Sequence, residues 1–277
     1  MSLFSRLSNG WKISMKSFQV LKTNKQLLFF PLLSGASMII LTASFAFAAF
    51  FAKTWIRDLM DAEGARKLLA YAGIFGFYLL NYFIVVFFNV ALMRCVRMVF
   101  NGEEVDMKDG INYSFSRIGT ILGWSVIAAT VGTILKIIQE ETGIVGKIIT
   151  GIIGLIWNVT TFFVVPVLAY ENTGPIEAIG RSAGIIKAKW GESLAGNFSL
   201  GLVQFLALLL IAVPLFFVGS VVNTFTGIAL AVFAGILIIA IISAAQAIFI
   251  SAVYQQAQGV EVAILNDEMV DDLFVRK

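Results

Sequence analysis

The chain of 277 residues is 59% apolar and only 13% charged, and its mean hydropathy is +0.90. Soluble domains are roughly 45–50% apolar and about 25% charged, so this composition excludes a water-soluble domain and places the chain in a lipid bilayer. The net charge is +3, and the absence of histidine and the single cysteine exclude imidazole metal sites, intrachain disulfides and thiolate clusters.

The segment before the first long apolar run is predicted to be an amphipathic helix. Its apolar stripe consists of Leu3, Leu7, Trp11, Met15, Phe18 and Leu21. Five basic residues lie largely off this stripe, so we expect them to contact anionic lipid headgroups while the stripe enters the bilayer interface. The alternative is that the helix packs on the protein's own cytoplasmic loops. The predicted anionic-lipid contacts are Arg6, Lys12, Lys16, Lys22 and Lys25.

Six apolar stretches are long enough to cross a bilayer, which takes about 20 helical residues. Continuous runs of this length lack the alternation of barrel strands, and open sheets leave their backbone groups unsatisfied in lipid. The sequence therefore predicts an all-α, polytopic membrane helix bundle. The predicted spans are 27–52, 68–93, 118–138, 148–170, 194–219 and 226–254.

The distribution of positive charge predicts the orientation of these spans. An even number of spans places both termini on one side, and that side carries fourteen lysine and arginine residues against six on the other. Since positive residues in short loops stay in the cytoplasm, we expect both termini there and the chain in a prokaryotic inner membrane. A signal peptide cleaved near 46–48 is the less favoured alternative, because the first apolar run is longer than the usual 7–15 or so residues.

Two further amphipathic segments precede spans three and five. Asp106 is placed to cap the first, and Pro175 suits the first position of the second, which Gly191 is expected to end. The chain is thus predicted to form a single transmembrane domain over 1–254, followed by an acidic cytoplasmic tail over 255–277. Each of its three units is a cytoplasmic interfacial helix plus a transmembrane hairpin, and the units are 1–93, 94–170 and 171–254.

Several short motifs resemble an uncharacterised prokaryotic family of multi-span membrane proteins. They are Gly10-Trp11 with the run 27–34, Gly119-x-x-x-Gly123-Trp124, and the segment from Gly174-Pro175 to Trp190-Gly191. The resemblance covers most of the chain and implies no known activity. More loosely, 177–191 is similar to the membrane domain fused to some glycerophosphodiester phosphodiesterases. The chain has no room for their catalytic domain, so no catalytic residue carries over.

The segment 177–184 is also comparable with the coupling helix of ABC permeases. In those proteins Glu-Ala-Ala is followed after three residues by glycine. Here the glycine, Gly184, comes after four residues and no Leu-Pro pair follows it, so we do not favour this interpretation.

Neutral polar residues are the candidate functional groups of the spans, since no ionisable residue falls at the middle of a predicted span. Those of span two share about one third of the helix circumference. They predict a hydrated or ligand-binding groove. Structural hydrogen bonding between helices is the alternative, which we favour because no charged group accompanies the amides. The candidate groove residues are Tyr78, Asn81, Tyr82, Asn89, Asn158, Thr161, Gln204 and Gln246.

Proline and small residues indicate how the spans pack. Pro166 and Pro214 lie inside spans four and five and are expected to kink them. The ladder Gly227, Ala231 and Gly235 in span six is expected to let a second helix backbone approach closely.

The sequence predicts no enzyme, because it lacks a glycine-rich phosphate loop, a metal-binding histidine pair and an imidazole partner for Cys95. We expect no metal, no cofactor and no nucleic acid, since membrane topology explains the basic residues. The predicted function is a non-enzymatic scaffold or accessory subunit that acts with a protein partner, or as a homo-oligomer, at the cytoplasmic face. The alternative is a permease or channel for a small or lipidic solute, and lipid handling at the inner leaflet is a third option.

Overall fold

The computed structural model describes residues 3–54 and 64–260, which form an all-α bundle. Six helices of this part of the chain are long and apolar enough to cross a membrane, which confirms the predicted fold class. Each overlaps its predicted span. The observed apolar helices are Lys25–Phe51, Lys67–Phe100, Ile118–Glu140, Thr142–Tyr170, Ser199–Ser220 and Thr224–Ala257.

The described helices are numbered here in chain order. They are α1 (Leu3–Thr23), α2 (Phe29–Phe51), α3 (Ala65–Phe100), α4 (Met107–Ser116), α5 (Ile118–Thr160), α6 (Val164–Tyr170), α7 (Pro175–Ala207), α8 (Val213–Ser220) and α9 (Thr224–Ala257). A short 3₁₀ helix, Lys25–Leu28, joins α1 to α2, and a π-helical turn, Leu208–Ala212, joins α7 to α8.

Helix α5 consists of two antiparallel halves that supply the third span and most of the fourth. Its backbone leaves the helical region at Gly143, where φ is +59°, a value that glycine adopts without strain. On either side of this turn, Gln139 Nε2 donates to Thr150 Oγ1 over 2.9 Å. Further along, the rings of Trp124 and Trp157 stack with centroids 5.8 Å apart.

Both prolines within spans coincide with departures from a regular α-helix. Span four is interrupted between Thr160 and Val164, just before Pro166, and the π-helical turn of span five lies just before Pro214. Proline has no N–H, and its ring clashes with the carbonyl four residues earlier. The helix therefore has to adjust its hydrogen bonding on the N-terminal side of each proline.

The amphipathic segments before spans three and five are helical, as predicted. Asp106 caps α4, since its carboxylate accepts from the backbone N–H of Lys108 at 2.8 Å and of Asp109 at 3.3 Å. The expected helix end at Gly191 is wrong, because α7 runs without a break from Pro175 to Ala207. One glycine inside a helix costs only about 1 kcal/mol relative to alanine, which neighbouring helix formers offset.

Helix α4 lies very close to α2 and α3. A Cβ atom on Gly110 would stand 2.7 Å from Cys95 Sγ, 3.0 Å from the Ala91 carbonyl and 3.1 Å from Phe30 Cζ. The close approach of these three helices therefore requires glycine at this position.

Helix α1 packs against α7 and α9 through a face that only partly overlaps the predicted stripe. Among its described side chains, Ile13, Ser14, Ser17, Val20 and Leu21 are buried and Phe18 packs against the core, whereas Trp11 is 42% exposed. The buried face is rotated by roughly a quarter turn from the predicted one, given 3.6 residues per turn. The predicted stripe contains no serine, whereas small residues allow close contact between helices. This face of α1 therefore packs on two helices of the protein.

The buried core lies towards one end of the bundle. It includes Leu92 from the second half of α3, Leu168 from α6 and Phe249 from the last part of α9, all at most 1% exposed. In the most apolar stretch of Lys67–Phe100, 61% is buried, whereas in that of Ser199–Ser220 none is. At this end α3, α6 and α9 end and α2, α5 and α7 begin. We call it the polar end, because the hydrogen bonds described next lie there, and we call the other the opposite end.

Candidate functional site

The polar end is organised around the carboxylate of Glu171. Helix α6 ends at Tyr170 because Glu171 adopts an extended backbone, and Pro175 starts α7 four residues later. In this connection the Glu171 side chain reaches both α7 and α9. It accepts from Arg181 Nε at 3.1 and 3.2 Å, from Gln258 Nε2 at 3.4 Å and from the Tyr254 hydroxyl. One carboxylate thus joins three segments of the chain.

The ion pair of Arg181 and Glu171 orients the helices it joins but adds little to the stability of the fold. The hydrogen bond to Glu171 raises the pKa of Arg181 above its usual range, so the guanidinium stays charged. Because the Arg181 side chain is 50% exposed, solvent screening limits such a pair to about 1 kcal/mol or less. Arg181 also donates through Nη2 to the Gln258 side-chain oxygen over 3.2 Å, which orients the end of α9.

A second group of contacts ties α3, α4 and the start of α5 to α6. Arg117 Nη1 donates to the backbone carbonyl of Glu171 over 2.8 Å, and Arg117 Nη2 donates to the Tyr113 hydroxyl over 3.2 Å. Tyr113 in turn donates to the backbone carbonyl of Ala169. Arg94 Nε of α3 lies 2.6 Å from Asp109 Oδ2 of α4. The short α4 is therefore held from both sides.

Two buried hydroxyl groups complete the links between helices. The Tyr170 hydroxyl donates to the Met93 carbonyl over 2.8 Å and shares a hydrogen bond with the fully buried Ser251 hydroxyl. Ser182, also fully buried, bridges the break in span four: it donates to the Thr160 carbonyl over 2.6 Å and accepts from the Phe163 N–H over 2.9 Å. Backbone groups that the break releases are thus satisfied by a side chain of α7.

We call the hydrogen-bonded side chains around Glu171 the Glu171 network; they are Tyr113, Arg117, Tyr170, Glu171, Arg181, Ser251, Tyr254 and Gln258. A cavity of about 440 Å³ opens beside this network. We call it the polar pocket. It is lined by Arg97, Asn101, Tyr170, Glu171, Arg181, Tyr254, Gln255, Gln258 and Val260. The guanidinium carbon of Arg97 lies 5.5 Å from the centroid of the Tyr170 ring, a cation–π contact. A neighbouring cavity of about 590 Å³, on the α7 side, shares Arg181 and Gln258 with it.

The described part of the chain contains no group of three or more metal-ligating residues. The groups that line the polar pocket offer charges and hydrogen bonds. Two guanidinium groups, three side-chain amides and one carboxylate face the same space.

The predicted groove residues are spread along several helices. Tyr78 lines an apolar cleft of about 670 Å³ between α2 and α3, which Lys136 also lines, and Tyr82 packs against the core. The Asn81 amide donates to the Phe77 carbonyl over 2.6 Å, and Thr161 donates to the Trp157 carbonyl over 2.7 Å. These two therefore bond within their own spans.

Of the remaining groove candidates, one is exposed and three are half-buried. The exposed side chain is Asn158, and the half-buried ones are Asn89, Gln204 and Gln246. The groove itself stays a prediction.

The predicted lipid contacts on α1 and the following 3₁₀ helix also stay a prediction. Lys22 and Lys25 are exposed and Lys16 is half-buried, while the side chains of Arg6 and Lys12 lie outside the described part. The predicted tail boundary falls inside α9, since Gln255 is buried in that helix and Gln258 joins the network. Residues 261–277 lie outside the described residues.

Reasoning from the sequence did not find the Glu171 network. Its arginines entered only as positive charge, and its tyrosines stand at helix ends, where aromatic residues are common in any membrane protein. The available signal was the isolated Glu171 between span four and α7, flanked by Tyr170 and followed by Arg181. Tyr254, its partner 83 residues further along the chain, carries no local signal at all.

Comparison with known proteins gives one family match and no match to a characterised protein. A family model described as "Family of unknown function (DUF6159)" matches residues 68–263. The matched region runs from α3 through α9 and so contains the whole network and the polar pocket. No curated protein and no solved structure gives a match. The looser resemblance to the phosphodiesterase-fused membrane domain therefore finds no support.

Proposed function

We propose that this chain, which belongs to the DUF6159 family of unknown function, is a non-enzymatic scaffold or accessory subunit of a membrane assembly. It presents the polar end to a protein partner. The observation that carries this proposal is the Glu171 network, which links α3, α4, α6, α7 and α9 through side chains. A binding surface on helices with fixed relative positions loses little conformational entropy when a partner docks.

The hydrogen bonding of the network favours a structural role over transport. The carboxylate of Glu171 already has Arg181, Tyr254 and Gln258 as donors. Proton and ion pathways use ionisable residues within the spans that face water or a substrate. Here the acidic group belongs to a connection outside the spans, where its bonds hold helix ends together.

We assign the polar end to the cytoplasm. Arg94, Arg97, Arg117 and Arg181 all lie there, which agrees with the excess of positive residues on the side of the termini. A cytoplasmic partner would then meet a surface formed by α4, the start of α7 and the end of α9.

The direct test is recovery of a partner from native membranes. The tagged full chain is cross-linked, purified in mild detergent and analysed by quantitative mass spectrometry. We expect Glu171→Gln to reduce recovery of the partner several-fold, because the amide cannot form the ion pair with Arg181 that orients α7 and α9. Glu177→Gln is the matched control, since it removes the same charge from an exposed position on the first turn of α7. A monodisperse protein without stoichiometric partner or self-association contradicts the proposal.

One observation favours a carrier of lipidic solutes as the second candidate. The lining of the cleft of about 670 Å³ between α2 and α3 is mostly apolar, and its polar lining residues are Thr42, Tyr78 and Lys136. Lys136 pairs with Glu140 over 3.3 Å. Such a cleft would hold an acyl chain, with the amine contacting a headgroup.

Filling this cleft separates the second candidate from the first. Gly73 lines it, and the space around a Cβ atom there is open, so Gly73→Phe fills the cleft without a clash at the backbone. The matched control is Gly76→Phe, since Gly76 has equally open surroundings on the same helix. A carrier loses translocation of a fluorescent phospholipid in proteoliposomes with the first variant and keeps it with the second. Absence of translocation in the unmodified protein supports the scaffold.

A further inference from the structure

We propose that the polar pocket is a binding site for a phosphate group, with Arg97 as its main ligand. The site lies where α3, α6 and α9 end together, so it stands at the depth of lipid headgroups. The inference concerns the pocket alone and does not depend on the proposed protein partner.

The other charged groups that line the pocket leave Arg97 available to bind an anion. Glu171 is engaged by Arg181, which compensates its charge within the pocket. Among the described residues, no carboxylate is within salt-bridge distance of Arg97. Its side chain is exposed, and its guanidinium carbon lies over the Tyr170 ring, 5.5 Å from the centroid. The pocket therefore carries one uncompensated positive charge on a positioned side chain.

An arginine held in this way suits a phosphate better than a lone carboxylate. The guanidinium plane offers parallel N–H donors that match two phosphate oxygens, and the cation–π contact with Tyr170 keeps the group at the pocket wall. Asn101, Gln255 and Gln258 add amide groups around the same space. A phosphate monoester or diester can accept hydrogen bonds from several of these groups simultaneously.

Two sources can supply such a phosphate: the headgroup of an anionic phospholipid and soluble phosphate. The ends of three spans surround the pocket, which gives a lipid headgroup direct access from the bilayer interface. Basic groups at this level attract anionic lipids with about 1 kcal/mol per residue even without a built site. A test must therefore separate the pocket from general attraction by surface charge.

The experiment compares the full chain with Arg97→Gln and Lys108→Gln. Lys108 is an exposed cation of α4 on the same side of the membrane and does not line the pocket, so it controls for loss of one charge. In the first arm, native mass spectrometry measures phosphatidylglycerol retained against phosphatidylcholine. In the second arm, calorimetry measures binding of inorganic phosphate to the protein in phosphatidylcholine nanodiscs.

We expect Arg97→Gln to weaken binding by about tenfold or more in at least one arm, as loss of a charge-assisted hydrogen bond predicts. Lys108→Gln should weaken it by no more than about fivefold, the general attraction of one surface charge to anionic lipid. Loss in the first arm alone identifies a lipid headgroup, and loss in the second identifies soluble phosphate. Arg97→Lys keeps the charge but loses the planar donor pair, so it should weaken binding by several-fold. Equal behaviour of Arg97→Gln and Lys108→Gln with both probes overturns the proposal.

Should Arg97→Gln lower expression or thermal stability, Asn101→Leu provides the same test. Asn101 is exposed at the end of α3, where its amide donates to Glu103 over 3.1 Å. Removing this amide from the pocket wall should weaken phosphate binding by a few-fold with the fold unchanged. Unaltered binding in this variant, with an intact fold, counts against the pocket as well.

Discussion

The two ends of the bundle are held together by different means. At the polar end, side chains from distant parts of the chain bond to each other, as Tyr254 does to Glu171 and Tyr170 to Met93. At the opposite end, α8 and α9 meet through glycine, and a Cβ atom on Gly219 would lie only 2.8 Å from the Cα of Gly227. Hydrogen bonds between helices far apart in sequence thus fix the polar end, whereas close backbone contact holds the α8–α9 hairpin at the opposite end. At that end the Gln139–Thr150 bond joins only the two halves of α5.

Ser182→Ala should have the largest effect on this comparison. The variant removes the hydroxyl that serves both the Thr160 carbonyl and the Phe163 N–H. Buried polar groups without a partner cost about 1–3 kcal/mol each, so we expect a loss of about 3 kcal/mol of unfolding free energy. Unfolding by denaturing detergent, followed by tryptophan fluorescence, measures this loss.

Ser125→Ala is the matched control for that variant. Ser125 is also fully buried, but its hydroxyl bonds to the Ile121 carbonyl of its own helix over 2.8 Å. That carbonyl keeps a backbone partner, so the loss should stay below about 1 kcal/mol. Equal losses in the two variants would show that the break in span four does not need the serine bridge.

Gly227→Ala tests the opposite end and should cost about 2 kcal/mol, within the range for an overpacked contact. The new methyl group would lie 2.2 Å from Ser220 Oγ and 2.6 Å from the Phe216 carbonyl, which is backbone and cannot move freely. Gly235→Ala is its control, because the nearest neighbouring atom there, Leu208 Cδ2, is 3.9 Å away. Thermal unfolding in detergent should show that Gly235→Ala is at least as stable as the unmodified protein.

The ladder of small residues in span six shows how far the sequence could predict packing. Its spacing places Gly227 and Gly235 on the same face of the helix and predicts a close helix contact at both. Only Gly227 of these two makes a tight contact. Helical periodicity identifies the residues on one face. It does not tell where a neighbouring helix crosses that face, which depends on the direction of α8.

The spans were predictable because lipid imposes a length and a composition on them. Glu171 and its partners were not, since the network joins residues far apart in sequence and each taken alone is ordinary for a helix end. The buried face of α1, which only partly overlaps the predicted stripe, is explained by residue size. Ser14 and Ser17 are polar by type, but their small size and the Ser17 bond to the Ile13 carbonyl suit a buried face.

Tyr170→Phe should cost about 1 kcal/mol at the polar end, the typical net value of one hydrogen bond. The Met93 carbonyl lies inside α3 and keeps its helical partner, so that the bond to Ser251 is the main loss. The variant keeps the ring under Arg97 and removes the hydroxyl that joins Met93 to Ser251. Its counterpart is Tyr71→Phe in the first part of α3, where the buried hydroxyl has no hydrogen-bond partner among the described residues. Loss of that hydroxyl should leave stability unchanged or raise it. A larger cost for Tyr71→Phe than for Tyr170→Phe would contradict the division between the two ends.

Lys136→Gln should have the smallest effect, below about 0.5 kcal/mol, which is the usual worth of an exposed pair four residues apart on a helix. Lys136 and Glu140 lie 3.3 Å apart towards the opposite end, and the lysine side chain is 42% exposed. The measurement is thermal unfolding at low and high salt, with Arg94→Gln as the comparison, because Arg94 makes a shorter contact of 2.6 Å to Asp109 between two helices. The Arg94 variant should lose more stability, since it also separates α4 from α3. If the lysine variant loses as much, charge pairing matters equally at both ends, and the polar end owes its rigidity to something other than its network.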